Sequence, residues 1–318
     1  MNIFKKIISL LVRLGISIAL LVFLFKQVDI KSLLAVIRNT DKTLLVIAFW
    51  VSFLNYVLGF FRWGMLLAAY KVDAPFKRLM AAYSGGIFFN SFLPSTIGGD
   101  FVRTIDLASF SKKPREVAAT VLLDRLSGYI AVVLVASLAI LFGWKIIHTR
   151  SVLLSMAVIT AILIFILLAL FNQFAYSKIN RLLGSLSLGR VSRGLKNLHQ
   201  EIHVFKREKN TILGNLSLSL LIQAVNPIVF YILSLALGIK INILYFFIFL
   251  PIIGAVTLLP VSIGGLGLRE ATVIFFFAQA GVSKDISLAA ALLSSFFLFI
   301  YAGLGGLIYV FTLRYRRV

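Results

Sequence analysis

The chain contains no cysteine and only 11 acidic residues among its 318 positions. The lack of cysteine excludes disulfides, thiolate nucleophiles and cysteine-ligated metals. Charged residues make up 14% of the chain, against roughly 25% in an ordinary soluble domain. With 60% hydrophobic residues and a mean hydropathy of +1.02, a soluble fold would expose large apolar surfaces. We therefore predict an all-α polytopic membrane protein, because long continuous apolar runs exclude a transmembrane barrel.

Six apolar segments are long enough to cross a hydrocarbon core, which takes about 20 helical residues. They lie at 7–25, 43–68, 117–143, 151–171, 212–237 and 286–312. Between the first two, residues 26–42 predict a short amphipathic helix at the outer interface.

The surplus of basic residues, 32 against 11 acidic ones, is interpreted as a topology signal and not as a nucleic-acid surface. The arrangement that best obeys the positive-inside rule places 20 of them on the cytoplasmic side and 8 outside. Both termini and the basic segment 172–211 are then cytoplasmic, in a cell membrane of the cytoplasmic type. In that segment His199 and His203 lack a third ligand, so we predict no metal site. With no phosphate-binding glycine loop either, we predict no cofactor.

Two further apolar segments, 79–101 and 244–281, are interrupted by glycine and proline. Basic residues flank the first on both sides, at Lys77 and Lys112, so both of its ends should be cytoplasmic. By parity the second segment enters and leaves from the outside. We predict two re-entrant helical hairpins within one transmembrane domain that covers residues 1–318. Such backbone is tolerated at membrane depth only inside protein or along a wet cavity.

An internal repeat lies within these two segments. Residues 93–103 are LPSTIGGDFVR and residues 259–269 are LPVSIGGLGLR, with six identities in the same register. Three predicted spans separate the copies, which gives them opposite orientations in the membrane. Inverted repeats with broken helices near the midplane are typical of transporters.

The repeated residue types indicate an anion site. Pro94 and Pro260 each remove a backbone donor and interrupt a helix. The pairs Gly98–Gly99 and Gly264–Gly265 permit unusual backbone angles and close approach. If a helix restarts past each pair, Arg103 and Arg269 fall in its first turn, where free N–H groups attract anions. We predict two such pockets facing one polar cavity. The alternative is tight packing of two hairpins, with each arginine reaching an interface.

Other charges lie within predicted spans. Arg62, Asp124 and Arg125 are costly at that depth and favour a cavity, although Asp124 and Arg125 are equally well explained as a structural pair. Asp100 partly neutralises the first motif, whereas Glu270 follows the arginine of the second. Asn55, Asn90 and Asn226 are expected to form hydrogen bonds between helices.

Three segments, FFNSFLPSTIGGDFVR (88–103), VLLDRLSGY (121–129) and LPVSIGGLGLREA (259–271), resemble the lysylphosphatidylglycerol synthase transmembrane (flippase-like) family. The resemblance implies movement of a charged or glycosylated lipid between leaflets. Family members can carry a soluble aminoacyltransferase domain; this chain stops at RYRRV, so we expect no synthase activity. By the family's pattern, the cavity residues are Pro94, Gly98, Gly99, Asp100, Arg103, Arg125, Gly264, Gly265, Arg269 and Glu270.

The leading hypothesis is therefore a lipid translocase that is not an enzyme. Its partner would be a membrane lipid with an anionic or otherwise charged headgroup, held between Arg103 and Arg269. One alternative is a non-catalytic lipid-binding partner of a separate synthase. Another is a membrane-embedded headgroup transferase that uses Asp100 or Glu270 as a general base. The sequence leaves the oligomeric state open.

Overall fold

The computed structural model describes residues 14–26 (except 16, 21 and 25), 30–93, 98–144, 150–171, 208–257, 261–262 and 264–314. Regular structure within these ranges is α-helical. The helices are α1 (Ile30–Arg38), α2 (Lys42–Ala69), α3 (Phe76–Phe92), α4 (Gly98–Ser111), α5 (Pro114–Phe142), α6 (Arg150–Phe171), α7 (Lys209–Ala236), α8 (Leu244–Thr257), α9 (Leu268–Ala278) and α10 (Lys284–Arg314).

Four of these helices, α2, α5, α7 and α10, are long and apolar enough to cross a membrane. They coincide with four predicted spans and confirm the all-α membrane class. Helix α6 falls on a fifth predicted span, with a shorter apolar stretch at Val152–Leu168. The sixth, 7–25, lies partly outside the described residues and is helical wherever it is described. Most of the basic segment 172–211, including the two histidines, also lies outside them.

The predicted interfacial segment contains α1, whose two faces differ. Leu33 is buried against Leu288 and Ala289 of α10, whereas Leu34 is 61% exposed. Asp41, the residue before α2, accepts hydrogen bonds from the N–H groups of Thr43 and Leu44. These bonds cap the N-terminus of α2. Helix α1 is therefore amphipathic, as predicted, and is held against the last long helix.

The order long, short, short, long occurs twice along the chain. The first unit, α2 to α5, has helices of 28, 17, 14 and 29 residues. The second unit, α7 to α10, has helices of 28, 14, 11 and 31 residues. Each pair of short helices flanks one copy of the repeated motif. The predicted interruptions at the two motifs are thus real breaks between helices.

Helix packing repeats in the same way. Within each unit the two short helices pack together, and the second of them packs against the closing long helix. Between units, α3 packs against α10, and its counterpart α8 packs against α5, while α2 lies along α7. Corresponding helices therefore make corresponding contacts, as expected for two units related by an approximate two-fold axis between α2 and α7.

The first motif differs from the expected helix restart. Helix α4 begins at Gly98 and includes the glycine pair, because the Asn90 side chain accepts a hydrogen bond from the Gly99 N–H at 2.8 Å. Gly99 lies so close to α3 that a Cβ there would be 1.8 Å from the Gly86 carbonyl oxygen. Arg103 consequently lies in the second turn of α4, and its expected place in the first turn was wrong.

The second motif follows the expectation. Gly264 and Gly265 have φ angles of 58° and 79°, which only glycine adopts at little cost. Helix α9 begins after them at Leu268, so Arg269 lies in its first turn. A Cβ on Gly264 would be 2.6 Å from the carbonyl oxygen of Ser91, which lies two residues before the first motif. The tips of the two hairpins therefore meet inside the molecule; the prolines, Pro94 and Pro260, lie outside the described residues.

We expect Gly99→Ala to destabilise the protein by about 1–3 kcal/mol, because the added methyl overpacks the contact between α3 and α4. Gly303→Ala is the matched control, since nothing lies within 4 Å of its Cβ position in α10. It should be neutral or stabilising by about 0.5–1 kcal/mol. Thermal unfolding of the purified protein in detergent measures both changes. Equal melting temperatures for the two variants would contradict the close approach.

Candidate functional site

Five charged side chains of the first unit form one continuous chain of ion pairs. Asp124 of α5 accepts from Arg62 Nε at 2.7 Å and from Arg103 Nη2 at 3.0 Å. The same Arg103 nitrogen lies 3.1 Å from Asp100, whose other oxygen accepts from Arg125 Nε at 2.6 Å. Three helices, α2, α4 and α5, thereby share their charges. We call this set of five residues the ion-pair network.

Burial makes this network energetically consequential. The side chains of Asp124 and Arg103 are each 5% exposed, and that of Arg125 is 33% exposed. A charge transferred from water to a low-dielectric interior needs a close partner of opposite sign. The sequence suggested that Asp124 and Arg125 pair with each other. In the structure Asp124 instead pairs with Arg62 and Arg103, and Arg125 pairs with Asp100.

Aromatic and neutral polar groups surround the network. The Arg103 guanidinium carbon lies 4.7 Å from the centroid of the Trp63 ring, a distance typical of cation–π contacts. Trp63 itself donates to Thr120 at 3.2 Å. On the other side, Arg62 donates to Ser219 of α7 at 3.2 Å. This last hydrogen bond connects the network to the second unit.

The arginine of the second motif has neutral partners. Arg269 donates from Nη1 to Ser295 Oγ at 3.3 Å and from Nη2 to the Gly264 carbonyl at 3.2 Å. Glu270 is fully buried and accepts from the Gly267 N–H at 2.6 Å and from Ser295 Oγ at 2.9 Å, so the Ser295 hydroxyl connects it to Arg269. Among the described residues, no carboxylate oxygen lies within the 4.0 Å ion-pair distance of Arg269.

A cavity of about 410 Å³ lies between the two units, and Arg269 lines it. Helices α2 and α3 of the first unit contribute to its wall, together with all four helices of the second. Its polar lining residues are Ser52, Asn55, Tyr56, Tyr83, Asn226, Thr257, Arg269, Ser294 and Tyr301. The volume falls within the range of small-molecule sites, roughly 300–1,000 Å³. The cavity is therefore polar in part, and Arg269 is the motif residue that lines it among those described.

The two motif arginines, predicted as equivalent, have different surroundings. Arg269 lines the cavity, whereas Arg103 is bound within the ion-pair network. Tyr83 of the cavity wall stacks on Trp63, with ring centroids 6.2 Å apart, and Arg103 lies against that same tryptophan. Two aromatic rings thus separate Arg103 from the cavity.

The predicted hydrogen bonds between helices are confirmed. Asn55 donates to Asn226 at 3.0 Å across the contact between the units, and Asn90 binds Gly99 as described above. Sequence reasoning did not identify Ser295, Tyr83 or Trp63 as neighbours of the motif arginines. No pattern in the chain marks these three, because they come from other helices than the motifs do.

A buried pair near the network was also not predicted. Arg78 of α3 and Asp106 of α4 lie 2.7 Å apart, with side chains 9% and 5% exposed. The pair connects the two helices of the first hairpin. In the sequence, the pair is indicated only by the opposite charges of Arg78 and Asp106, which lie on either side of the apolar segment 79–101.

Two repeated helical units, with broken helices meeting beside a polar cavity, define a polytopic membrane protein of internal-repeat architecture. The chain belongs to the family described as lysylphosphatidylglycerol synthase TM region, whose model matches residues 10–306. It is 28% identical over 277 residues to a UPF0104 membrane protein of Methanothermobacter thermautotrophicus, covering 80% of each chain. It is also 25% identical over 307 residues to the UPF0104 membrane protein PH1989 of Pyrococcus horikoshii, covering 89% of this chain and 90% of the relative.

We expect Asp124→Asn to destabilise the protein by about 3–5 kcal/mol, because it leaves two buried guanidinium groups without their shared counter-charge. Asp73→Asn, at an exposed position, removes the same formal charge and should change stability by less than about 0.5 kcal/mol. Thermal unfolding in detergent compares the two variants. A similar small effect for both would show that the network does not hold the first hairpin in place.

Proposed function

We propose that this protein is a membrane lipid translocase that moves a charged lipid between leaflets through the cavity between its two units. The observation that carries the proposal is the position of Arg269. Its guanidinium lines a cavity at the junction of two hairpin tips, where a headgroup could leave one leaflet and enter the other. Membrane-embedded charges usually mark such pathways.

The proposed mechanism follows from the repeat. A lipid headgroup enters the cavity while its acyl chains stay in the bilayer. Rocking of the first unit against the second then opens the cavity to the other side, as in transporters with inverted repeats. The packing of α2 along α7 provides an axis for this motion, and Arg269 moves with the second unit.

The proposed topology has both termini in the cytoplasm and two re-entrant hairpins that enter from opposite faces. In support, α3, α4, α8 and α9 each have 17 residues or fewer, short of the ~20 needed to span. The two hairpin tips also meet each other, at Gly264 and Ser91. Hairpins that enter from opposite faces would meet in this way near the membrane midplane.

Single cysteines test this topology directly, because the chain has none of its own. Cysteines at Lys77 and Arg115 flank the first hairpin, and cysteines at Lys240 and Lys284 flank the second. With a membrane-impermeant maleimide in sealed vesicles of known orientation, the first two should be labelled from the cytoplasmic side and the last two from the other. Opposite labelling within either pair would contradict the re-entrant hairpin there.

The alternative of a headgroup transferase has little support from the contacts. A general base needs a carboxylate oxygen that can accept a proton from the substrate. Both oxygens of Asp100 are in ion pairs, and both oxygens of Glu270 accept hydrogen bonds from the protein. The relatives above are named only as membrane proteins. A translocase fits the cavity better, since translocation leaves every covalent bond of the lipid unchanged.

Leaflet exchange in proteoliposomes tests the function. We expect the purified protein to accelerate the exchange of a fluorescent anionic lipid, measured by dithionite quenching, over protein-free vesicles. Arg269→Ala should reduce the accelerated rate by about tenfold or more, since a charge-assisted contact contributes roughly 1.5–3 kcal/mol. Lys240→Ala, at an exposed cation outside the cavity, should exchange lipid like the wild type. Exchange at the protein-free rate for anionic, zwitterionic and cationic lipids alike would contradict the translocase and favour a partner protein.

A further inference from the structure

Glu270 differs from the other carboxylates that are buried among the described residues. Four acidic side chains are buried there, those of Asp100, Asp106, Asp124 and Glu270. Each aspartate forms an ion pair with an arginine at 3.1 Å or less. Glu270 is 0% exposed, and no described lysine, arginine or histidine nitrogen lies within the 4.0 Å ion-pair distance of its oxygens. Ionisable groups buried in this way in membrane proteins commonly carry protons.

Arg269 is the charged neighbour of Glu270 on their shared helix, and the Glu270 charge acts on it electrostatically. Helices α8 and α10 pack against α9, and the described N-terminal segment reaches the start of α9. The charged or titratable residues of these elements are Tyr245 of α8, Lys284, Asp285, Tyr301, Tyr309 and Arg314 of α10, and Lys26 of the N-terminal segment. On α10, Glu270 contacts Ser295. The charged residues of α10 lie ten or more positions from that serine, about 15 Å or more along the helix.

The hydroxyl of Ser295 connects the two charges of α9. Ser295 Oγ donates to Glu270 Oε1 at 2.9 Å and accepts from Arg269 Nη1 at 3.3 Å. The other oxygen of Glu270 accepts from the Gly267 N–H at 2.6 Å. An ionised Glu270 therefore balances part of the Arg269 charge without touching it. Because Arg269 lines the cavity, the charge of Glu270 affects how strongly the cavity attracts an anion.

We propose that Glu270 binds a proton through Ser295, and that this proton crosses the membrane together with an anionic headgroup held at Arg269. This inference rests on the translocase proposed above and deepens it by naming a co-substrate, the proton. A proton gradient can then drive the transport.

Proton uptake requires the reversal of one hydrogen bond. A hydrated proton in the cavity adds to Ser295 Oγ, and the serine passes its own hydroxyl hydrogen to Glu270 Oε1. The new carboxyl O–H donates back to Ser295 Oγ, which has two lone pairs and keeps its bond from Arg269. The serine hydrogen turns to the carbonyl four residues earlier in its helix, a bond that helical serines commonly form. Only O–H bonds form and break, and Glu270 gains one proton without contacting the lipid.

The same charge links proton binding to headgroup binding. An anionic headgroup at Arg269 is repelled by an ionised Glu270 and not by the neutral acid. Each ligand therefore favours the binding of the other, as linkage requires. One proton and one negative charge enter the site together, so loading adds no net charge to it.

A pH gradient across proteoliposomes tests the coupling. The vesicles carry the fluorescent anionic lipid, a pH difference of about one unit, and potassium with valinomycin to hold the membrane potential at zero. A tenfold proton ratio coupled to one lipid should enrich that lipid by up to about tenfold in the leaflet facing the alkaline side. Dithionite quenching measures the distribution, and protein-free vesicles with the same gradient give the baseline.

Variants assign the coupling to Glu270. Glu270→Gln has nearly the same shape and cannot take up this proton, so the enrichment should be lost. Ser295→Ala removes the hydroxyl of the relay and should slow the approach to the enriched distribution. Glu208→Gln makes the same substitution at an exposed position and should enrich the lipid like the wild type. The gradient comparison itself uses the wild type, so it stands even if Glu270→Gln does not fold.

Protonation can also be observed without transport. Infrared difference spectra of the purified protein in detergent would be recorded between about pH 4 and about pH 9, a range in which buried carboxyl groups take up protons. We expect a carbonyl band of a protonated carboxyl group in the wild type and in Glu208→Gln that is missing from Glu270→Gln.

The possible contrary results separate the coupling from the translocase. Fast exchange with a lipid distribution that ignores the pH gradient would overturn the coupling and preserve the translocase. Enrichment on the acidic side, or enrichment that persists in Glu270→Gln, would overturn the joint movement of lipid and proton at this site. Spectra without a Glu270-dependent band would overturn the proton site. A Glu270-dependent band in a protein that exchanges no lipid would preserve the proton site and contradict the translocase.

Discussion

Asp124 is the residue on which the arrangement of the first unit depends. Its two carboxylate oxygens bind guanidinium groups from two different helices, Arg62 of α2 and Arg103 of α4. In a low-dielectric interior the loss of this shared partner would leave Arg62 without an ion pair in the network and Arg103 with Asp100 alone, at a high cost. Asp124 therefore fixes the inner helix of the hairpin against both long helices of its unit. The start of α4 within the first motif is positioned as a consequence.

The second unit holds its hairpin by other means. Gly264 and Gly265 turn the backbone through left-handed conformations, and Glu270 binds the N–H of Gly267 at the start of α9. These contacts position the start of the helix, and Ser295 connects Glu270 with Arg269. Two units of similar architecture thus differ in chemistry. The motif arginine of the first unit forms ion pairs with two carboxylates, whereas that of the second donates to neutral groups and lines a cavity.

Local patterns in the sequence were sufficient for the helices and for the repeat. Apolar runs predicted α2, α5, α7 and α10, and the matched Pro, Gly and Arg residues predicted two helix breaks. The pairing of charges was not predictable in this way, because Asp124 meets Arg62 across 62 positions of the chain. Helix α4 begins at Gly98 for a similar reason: the cap comes from Asn90 on another helix. Repeat symmetry gave the wrong expectation for Arg103, since among the described residues only the first unit places carboxylates within ion-pair distance of its motif arginine.

The distribution of strong contacts bears on how the units can move. The ion-pair network and the Arg78–Asp106 pair both join residues of the first unit to one another. The side-chain contacts that cross between the units include hydrogen bonds with neutral partners, such as Asn55 with Asn226 and Arg62 with Ser219. They also include aromatic contacts, such as Phe49 with Phe297. Each such hydrogen bond contributes only about 0.5–3 kcal/mol net, with those to charged groups at the upper end. Displacing one unit against the other therefore leaves the ion-pair network and the Arg78–Asp106 pair intact. The first unit can then move as one body against the second, which is the rocking motion that the proposed translocase requires.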